Sequence, residues 1–184
     1  MLEVRALEIE GLLEIRPPRF DDERGFFSET WSEAASKAAG IDLRFVQDNH
    51  SLSRQAGVLR GLHFQSPPFA QDKLVRVSRG AVFDVAVDIR PNSPTYRQWA
   101  GLRLSATDGN QLLVPKGFAH GFLALEPDSE VQYKVTAPYS REHDRAIRFD
   151  DPAIGVEWPL AREALILSDK DRGAPLLADI DPGF

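Results

Sequence analysis

The chain has 184 residues, of which 42% are apolar and 27% charged, a balance typical of a globular domain with a hydrophobic core. Its net charge of −6 argues against a general binder of nucleic acid or acidic membranes, but it allows a local basic pocket. The absence of cysteine excludes disulfides, thiolate metal sites and a cysteine nucleophile. The N-terminal residues do not resemble a signal peptide and no apolar run could span a bilayer, so we expect one cytoplasmic domain over residues 1–184.

The first clear element along the chain is a helix in "WSEAASKAA". Thr30 and Glu33 fit a capping box at its start, and Gly40 stands where a C-cap glycine is favoured. Near the other end of the chain, "LSDKD" predicts a second short helix or turn that starts near Ser168, with Asp171 at its third helical position. A capping role of this kind would by itself explain Asp171.

The middle of the chain predicts a series of short strands, at 72–78, 81–90, 101–106, 111–115, 120–125 and 130–136. Turn signals such as "RG" and "TDGN" separate them. Short strands at a spacing of about 8 to 12 residues are typical of an all-β sandwich or barrel. A parallel α/β sheet is disfavoured because no helical segments separate the strands.

The 81–90 strand is largely apolar on both faces. Asp84 and Asp88 share one of these faces with Val82 and Ala86. From the residues alone, we expect both aspartates to pair with neighbouring arginines or to face solvent.

The stretch "RGLHFQ" carries polar groups inside an apolar strand. In a regular strand, Arg60 and His63 lie on opposite faces, unless Gly61 permits a bulge or twist. A second histidine, His120, stands in "PKGFAHGF", which predicts a glycine-flanked turn entering a strand. Both histidines have an ordinary structural interpretation. Two histidines also suggest a metal site, but Gln65 stands where a mononuclear metal cupin has its second histidine, which disfavours one.

Eight motifs, taken in order, carry a resemblance that covers about residues 3 to 178: "RGFFSETW", "FVQDNHS", "GVLRGLHFQ", "QDKLVRVSRGAVFDVAVDIRPNSPTY", "PKGFAHGFLAL", "YKVTAPYS", "FDDPAIGVEWP" and "LSDKD". The sequence resembles the dTDP-4-dehydrorhamnose 3,5-epimerase family. The resemblance implies an all-β, cupin-type jelly roll with a few short peripheral helices. It also implies a homodimer with exchanged N-terminal strands, and no metal or other cofactor.

The resemblance also implies roles for individual residues. His63 matches the family's catalytic base and Tyr133 its proton donor. Asp171 matches the carboxylate paired with the base, with Asp169 as the alternative, and Lys73 matches the lysine near the sugar carbonyl. The positions that match substrate-binding residues are Arg24, Glu29, Gln47, Asn49, Arg60, His120, Tyr139, Asp144 and Lys170.

These residue types suit the chemistry that the resemblance implies. The C4 ketone of a dTDP-4-keto-6-deoxy sugar acidifies the hydrogens on C3 and C5, and epimerisation needs a base and an acid on opposite sides of the ring. A histidine, with an unperturbed pKa of about 6.5, can accept a proton near neutral pH. The lysine can stabilise the enolate, and the forked guanidinium of an arginine suits a diphosphate. We therefore expect Arg60 and His63 to reach one pocket.

Three alternatives remain open at this point. The first is a mono-epimerase that acts on a related dTDP-4-keto-6-deoxy sugar. The second is a metal-binding cupin enzyme, which a chelator would inactivate. The third is a sugar-binding module, which would bind dTDP but exchange no substrate protons.

Overall fold

The computed structural model describes residues 2–184, and most strands lie in two facing antiparallel sheets. The six-stranded sheet has the order β1 (Glu3–Ala6), β2 (Leu13–Arg16), β10 (Gln111–Val114), β7 (Lys73–Arg79), β12 (Ser129–Val135), β5 (Gln47–Ser53). The five-stranded sheet has the order β13 (Asp144–Ala146), β6 (Leu59–Gln65), β11 (Phe118–Ala124), β8 (Ala81–Asp88), β9 (Trp99–Ser105). A separate hairpin is formed by β3 (Arg19–Asp22) and β4 (Gly25–Ser28). The predicted all-β class is confirmed.

The main core lies between the two sheets. Val75 and Val131 from the six-stranded sheet pack in one cluster with Val82 and Phe122 from the five-stranded sheet. The outer face of the five-stranded sheet carries a second cluster, in which Val85 and its neighbours are covered by C-terminal residues. Strand β8 therefore contacts an apolar layer on each side, which explains why both of its faces are apolar in the sequence.

The predicted strands are all present, with ends displaced by no more than two residues. The largest consequence concerns His120, which lies inside β11 rather than in a turn before it. Its neighbours across the ladders are His63 on β6 and Ala86 on β8. The strand begins earlier than predicted because Phe118, which directly follows a glycine, is buried between the sheets.

Two short α-helices lie outside the sheets. Helix α1 (Glu33–Ala38) is capped by Ser32, whose Oγ accepts a 3.4 Å hydrogen bond from the backbone N–H of Ala35. The predicted cap at Thr30 was therefore wrong by two residues, because Ser32 serves equally well as a cap. Gly40, with φ +85°, follows the helix as predicted.

Helix α2 (Asp169–Arg172) begins after Ser168, as predicted. Two single-turn 3₁₀ helices, Arg162–Ala164 and Leu177–Asp179, complete the helical content of residues 2–184. No helix in this part of the chain has the length and apolar character needed to cross a membrane.

Strand β6 contains a bulge at Gly61. Between the pairs His120–His63 and Phe122–Arg60, β6 has one residue more than β11, which is the defining count of a bulge. Gly61 has φ +138°, and a Cβ there would lie 2.5 Å from the Cα of Gly121, so no larger residue fits. The extra residue changes the alternation along β6, which allows Arg60 and His63 to face the same side.

The two buried aspartates of β8 have different partners. Asp88 accepts hydrogen bonds from Arg90, Ser93 and Thr95, and these bonds overcome the opposing effect of burial and lower its pKa to about 2. Pairing with an arginine is thus confirmed for Asp88. For Asp84 the expectation was wrong, since it is fully buried and bonds to His120 at 2.8 Å.

Candidate active site

A cavity of about 450 Å³ opens between the two sheets. Arg60 and His63, both on strand β6, line this cavity. The expectation that both residues reach one pocket is therefore confirmed. The predicted site residues that line it are His63, Tyr133, Asp171, Lys73, Gln47, Asn49, Arg60, His120, Tyr139, Asp144 and Lys170.

His63 forms a pair with Asp171. The Nε2 atom of His63 lies 2.5 Å from Oδ1 of Asp171, whose side chain is 5% exposed. The partner of His63 in this structure is therefore Asp171 and not Asp169. An ionised carboxylate can only accept hydrogen bonds, so Nε2 carries the proton and donates a hydrogen bond to Asp171. The second ring nitrogen, Nδ1, is then the one that can accept a proton from a ligand.

Helix α2 holds Asp171 in place. The Oγ atom of Ser168 accepts a hydrogen bond from the Asp171 backbone N–H at 3.1 Å and donates one to Oδ2 at 2.8 Å. Burial by itself raises the pKa of Asp171, but hydrogen bonds from His63 and Ser168 and the charge of Lys170 bring the pKa below its ordinary value. The carboxylate therefore stays ionised beside the imidazole and would stabilise an imidazolium.

Tyr133 enters the cavity from the other sheet. It lies on β12 and packs against the core cluster between the sheets. Burial raises the pKa of its phenol, the negative charge of Asp144 adds to this effect, and the positive charge of Arg60 opposes it. With the pKa raised, the hydroxyl keeps its proton at neutral pH and is available as a hydrogen-bond donor.

Lys73 places a buried positive charge in the cavity wall. It is 7% exposed, and its Nζ donates a 3.2 Å hydrogen bond to the backbone carbonyl of His63 on the opposite sheet. Burial lowers the pKa of Lys73 to about 8, while the negative charges of Asp84 and Asp144 limit the decrease. At pH 7 Lys73 is therefore mostly in the ammonium form, and it loses this charge as the pH rises through about 8.

A second histidine–aspartate pair lies deeper between the sheets. His120 is 6% exposed and bonds through Nε2 to Asp84, whose other oxygen, Oδ2, has no hydrogen-bond partner within residues 2–184. His120 is the direct neighbour of His63 across the β6–β11 ladder. The cavity therefore contains two imidazoles side by side, each oriented by its own carboxylate.

Charged and polar groups surround the mouth of the cavity. Lys170 on α2 bonds to Asp144 on β13 at 2.5 Å. Gln47 donates to Asn49 along β5 at 2.8 Å. Arg60 donates to the backbone carbonyl of Leu52 at 3.1 Å, and its remaining N–H groups can bind an anion.

The structure does not bring Arg24 and Glu29 to this cavity. Arg24 lies in the turn of the β3–β4 hairpin, where it pairs with Asp22 at 2.6 Å and its side chain is 85% exposed. Glu29 borders a separate depression of about 230 Å³ beside Trp31. Both residues lie in the N-terminal part of the chain, outside the strands that line the cavity.

Several lining residues were not predicted from the sequence: Ser51, Phe64, Gln65, Gln71, Phe122 and Ser168. Ser168 had a detectable signal, because the capping pattern that places Asp171 also places its hydroxyl. Gln65 was noted only as the residue that replaces a metal-ligating histidine. The sequence carried no signal for Gln71, whose role depends on contacts with a distant segment.

The titratable groups do not form an evident metal site. Among residues 2–184, no group of three or more histidine, aspartate or glutamate side chains is arranged to hold a metal ion. The prediction that the protein needs no cofactor stays a prediction, to be tested in solution.

The comparisons with known proteins agree with one another. The model of the dTDP-4-dehydrorhamnose 3,5-epimerase family matches residues 6–179. The dTDP-4-dehydrorhamnose 3,5-epimerase of Sinorhizobium fredii is 52% identical over 180 residues, which cover 98% of this chain and 92% of the relative.

Two solved structures have the same fold. The dTDP-6-deoxy-D-glucose-3,5-epimerase from Legionella pneumophila, in complex with dTDP-4-keto-L-rhamnose, aligns with a TM-score of 0.93 and 46% identity, covering 98% of this chain and 95% of the other. A 3′-monoepimerase from Streptomyces bikiniensis, in complex with dTDP-quinovose, aligns with a TM-score of 0.86 and 34% identity, covering 94% and 86%.

These likenesses confirm the cupin-type jelly roll that the resemblance implied. The family model covers nearly the whole chain, and the relative's identity is well above the level at which family membership is secure. The chain therefore belongs to the dTDP-4-dehydrorhamnose 3,5-epimerase family, whose members are isomerases that act on carbohydrates as epimerases.

Proposed function

We propose that this protein epimerises C3 and C5 of dTDP-4-dehydro-6-deoxyglucose, giving dTDP-4-dehydro-L-rhamnose, without a metal. In this proposal residues 1–184 form a single cupin-like epimerase domain that works in the cytoplasm. His63 removes the proton next to the ketone, and Tyr133 delivers a proton to the other face of the resulting enolate. The same two residues act in turn at each carbon.

The observation that carries the proposal is the placement of His63 and Tyr133. They lie on β6 and β12, in opposite sheets, and both line the same cavity. A sugar ring between them would present one face to the base and the other face to the acid. Inversion at a carbon needs this arrangement, since a proton must leave from one face and arrive at the other.

Lys73 supplies the charge that the intermediate needs. Proton loss next to the C4 ketone places negative charge on O4, and a donor fixed beforehand in a dry site stabilises it without reorganisation. The buried ammonium of Lys73, held by the carbonyl of His63, fulfils this condition. Arg60 would bind the diphosphate at the mouth of the cavity.

The first test is incubation of the protein with dTDP-4-keto-6-deoxyglucose in D₂O with EDTA, followed by proton NMR and mass spectrometry. We expect deuterium at both C3 and C5. Deuterium at one carbon only would identify a mono-epimerase, for which the 34% identical 3′-monoepimerase is a precedent on the same fold. If neither carbon takes up deuterium, the proposal is overturned. Recovery of exchange by added metal would then favour a metal cupin.

Tyr133→Phe tests the role of the acid separately. The variant keeps the ring that packs in the core but lacks the hydroxyl. The enolate therefore still forms, and His63 returns a deuteron from the solvent to the face that lost the proton. We expect deuterium wash-in to persist while product formation slows about 10²-fold or more, within the range of a positioned acid. NMR in D₂O measures both rates in one sample. Equal slowing of wash-in and product would contradict this assignment.

We further propose that the active form is a homodimer with exchanged N-terminal strands. The β3–β4 hairpin exposes three phenylalanines, Phe20, Phe26 and Phe27, each about 60% or more accessible, and such an apolar patch is typical of an interface. The exchange would carry Arg24 and Glu29 of one copy to the cavity of the other. It would thereby reconcile their predicted role with their position outside the cavity in one chain.

A mixing experiment tests this exchange. Arg24→Glu and His63→Ala should each be inactive alone, for loss of substrate binding and loss of the base. If the cavity takes Arg24 from a second copy, half of the mixed dimers' sites are intact, and random reassociation should restore about a quarter of wild-type activity. Size-exclusion chromatography with light scattering confirms dimer formation. No recovery in verified mixed dimers would place both residues in one subunit's site and contradict the exchange.

A further inference from the structure

The mouth of the cavity contains an irregular segment, residues 137–140, whose role depends on how it is held. It follows β12 and has no helical or strand structure. Segments of this kind are usually mobile. It carries Tyr139, whose side chain lines the cavity and is 59% exposed.

Three glutamine side chains bind the backbone of this segment at four successive residues. Gln71 donates to the carbonyl of Ala137 at 2.8 Å. Gln65 donates to the carbonyl of Pro138 at 3.1 Å and accepts from the N–H of Ser140 at 2.7 Å. Gln47 accepts from the N–H of Tyr139 at 3.0 Å. We call this set of contacts the glutamine clamp.

Gln65 is the centre of the clamp. It is 4% exposed, and its amide also donates to the carbonyl of Phe69 at 2.7 Å, so both its donor and acceptor groups are in use. It lies two residues from His63 on β6. The strand that carries the base therefore also determines where the mouth segment lies.

We propose that Gln65 and Gln71 are positioning residues: they fix the segment that carries Tyr139, a position that the resemblance assigns to substrate binding, before the nucleotide binds. The proposal rests on the proposed function, because it assumes a dTDP-sugar as ligand. An exposed aromatic ring offers a face on which a flat base stacks. Holding the backbone beforehand removes the ordering cost that a free loop would add on binding.

This arrangement predicts an effect on binding rather than on chemistry. Neither Gln71 nor Tyr139 is needed for proton transfer between His63 and the sugar. Gln71→Ala is therefore expected to raise KM about 5- to 10-fold with kcat within twofold of wild type. Gln65→Met should act in the same direction and more strongly, because it removes three of the hydrogen bonds around the mouth.

A double-mutant cycle tests whether the glutamines act through Tyr139. The dissociation constant of dTDP is measured by calorimetry for wild type, Gln71→Ala, Tyr139→Ala and the double variant. We expect each single change to weaken binding about 5- to 10-fold and the double variant to be no more than twofold weaker than Tyr139→Ala. Gln98→Ala, at an exposed glutamine outside the cavity lining, is the matched control and should bind as wild type does.

The outcomes separate this proposal from the proposed function. If the double variant weakens by the product of the single effects, or if Tyr139→Ala leaves dTDP affinity unchanged, the clamp proposal is wrong while the epimerase proposal stands. If wild type exchanges no substrate protons and binds no dTDP, the proposed function itself fails. Since Gln65→Met could impair folding, Gln71→Ala, at a half-buried residue, carries the test.

Discussion

Replacing His63 with alanine is expected to reduce deuterium exchange at both C3 and C5 by about 10³-fold or more, while dTDP binding stays within a few-fold of wild type. The imidazole provides the proton acceptor of the His63–Asp171 pair, because both oxygens of Asp171 are engaged by His63 and Ser168. A positioned base contributes about 10² to 10⁴-fold. Loss at both carbons together follows if one base serves both steps. NMR in D₂O gives the rates and calorimetry gives the affinity.

A matched control distinguishes this effect from a general loss of structure. His50 lies on β5, is about half exposed and pairs with Glu130, outside the cavity lining. His50→Ala should exchange deuterium at nearly the wild-type rate. Normal turnover by the His63→Ala variant would overturn the mechanism, and loss of exchange at only one carbon would require a second base, for which His120 is the candidate.

Lys73→Met is expected to have the second-largest effect, a loss of about 10²- to 10³-fold in the rate of exchange at both carbons. Methionine retains a flexible apolar chain of similar length but has no charge, so it removes the stabilisation of the enolate oxygen with little loss of packing. Steady-state exchange in D₂O measures the effect. A Lys73→Met enzyme within a few-fold of wild type would show that the ammonium does not contact the enolate.

The pKa of Lys73 adds a pH dependence to this prediction. Burial lowers it to about 8, against the opposing charges of Asp84 and Asp144. If the ammonium is the active form, wild-type exchange falls as the pH rises through about 8, because the charge is then lost. Lys73→Met should lack this decrease. A wild-type rate that stays constant from pH 7 to pH 10 would contradict the assignment.

Much of this protein follows from local patterns in its sequence. Alternating apolar residues and turn pairs predicted the strands and the all-β class, because periodicity two and turn chemistry act over a few neighbouring residues. The Ser168 cap was predicted for the same reason. The order of the motifs identified the family and named eleven of the residues that line the cavity.

What the sequence left open depended on contacts between distant residues. Only the folded chain showed that Asp171, rather than Asp169, meets His63, because the choice depends on how α2 packs beside β6. The prediction for Asp84 was wrong because its partner, His120, lies on the neighbouring strand β11, 36 positions away in the sequence.

The same physical reason applies to the cavity as a whole. Gly61 signalled a possible bulge, but only the pairing of β6 with β11 shows the extra residue and the close approach of Gly121. The glutamine clamp joins residues up to about ninety positions apart. Local sequence thus determined which elements form and which chemical groups they carry, whereas the packing of the two sheets decided which of those groups meet.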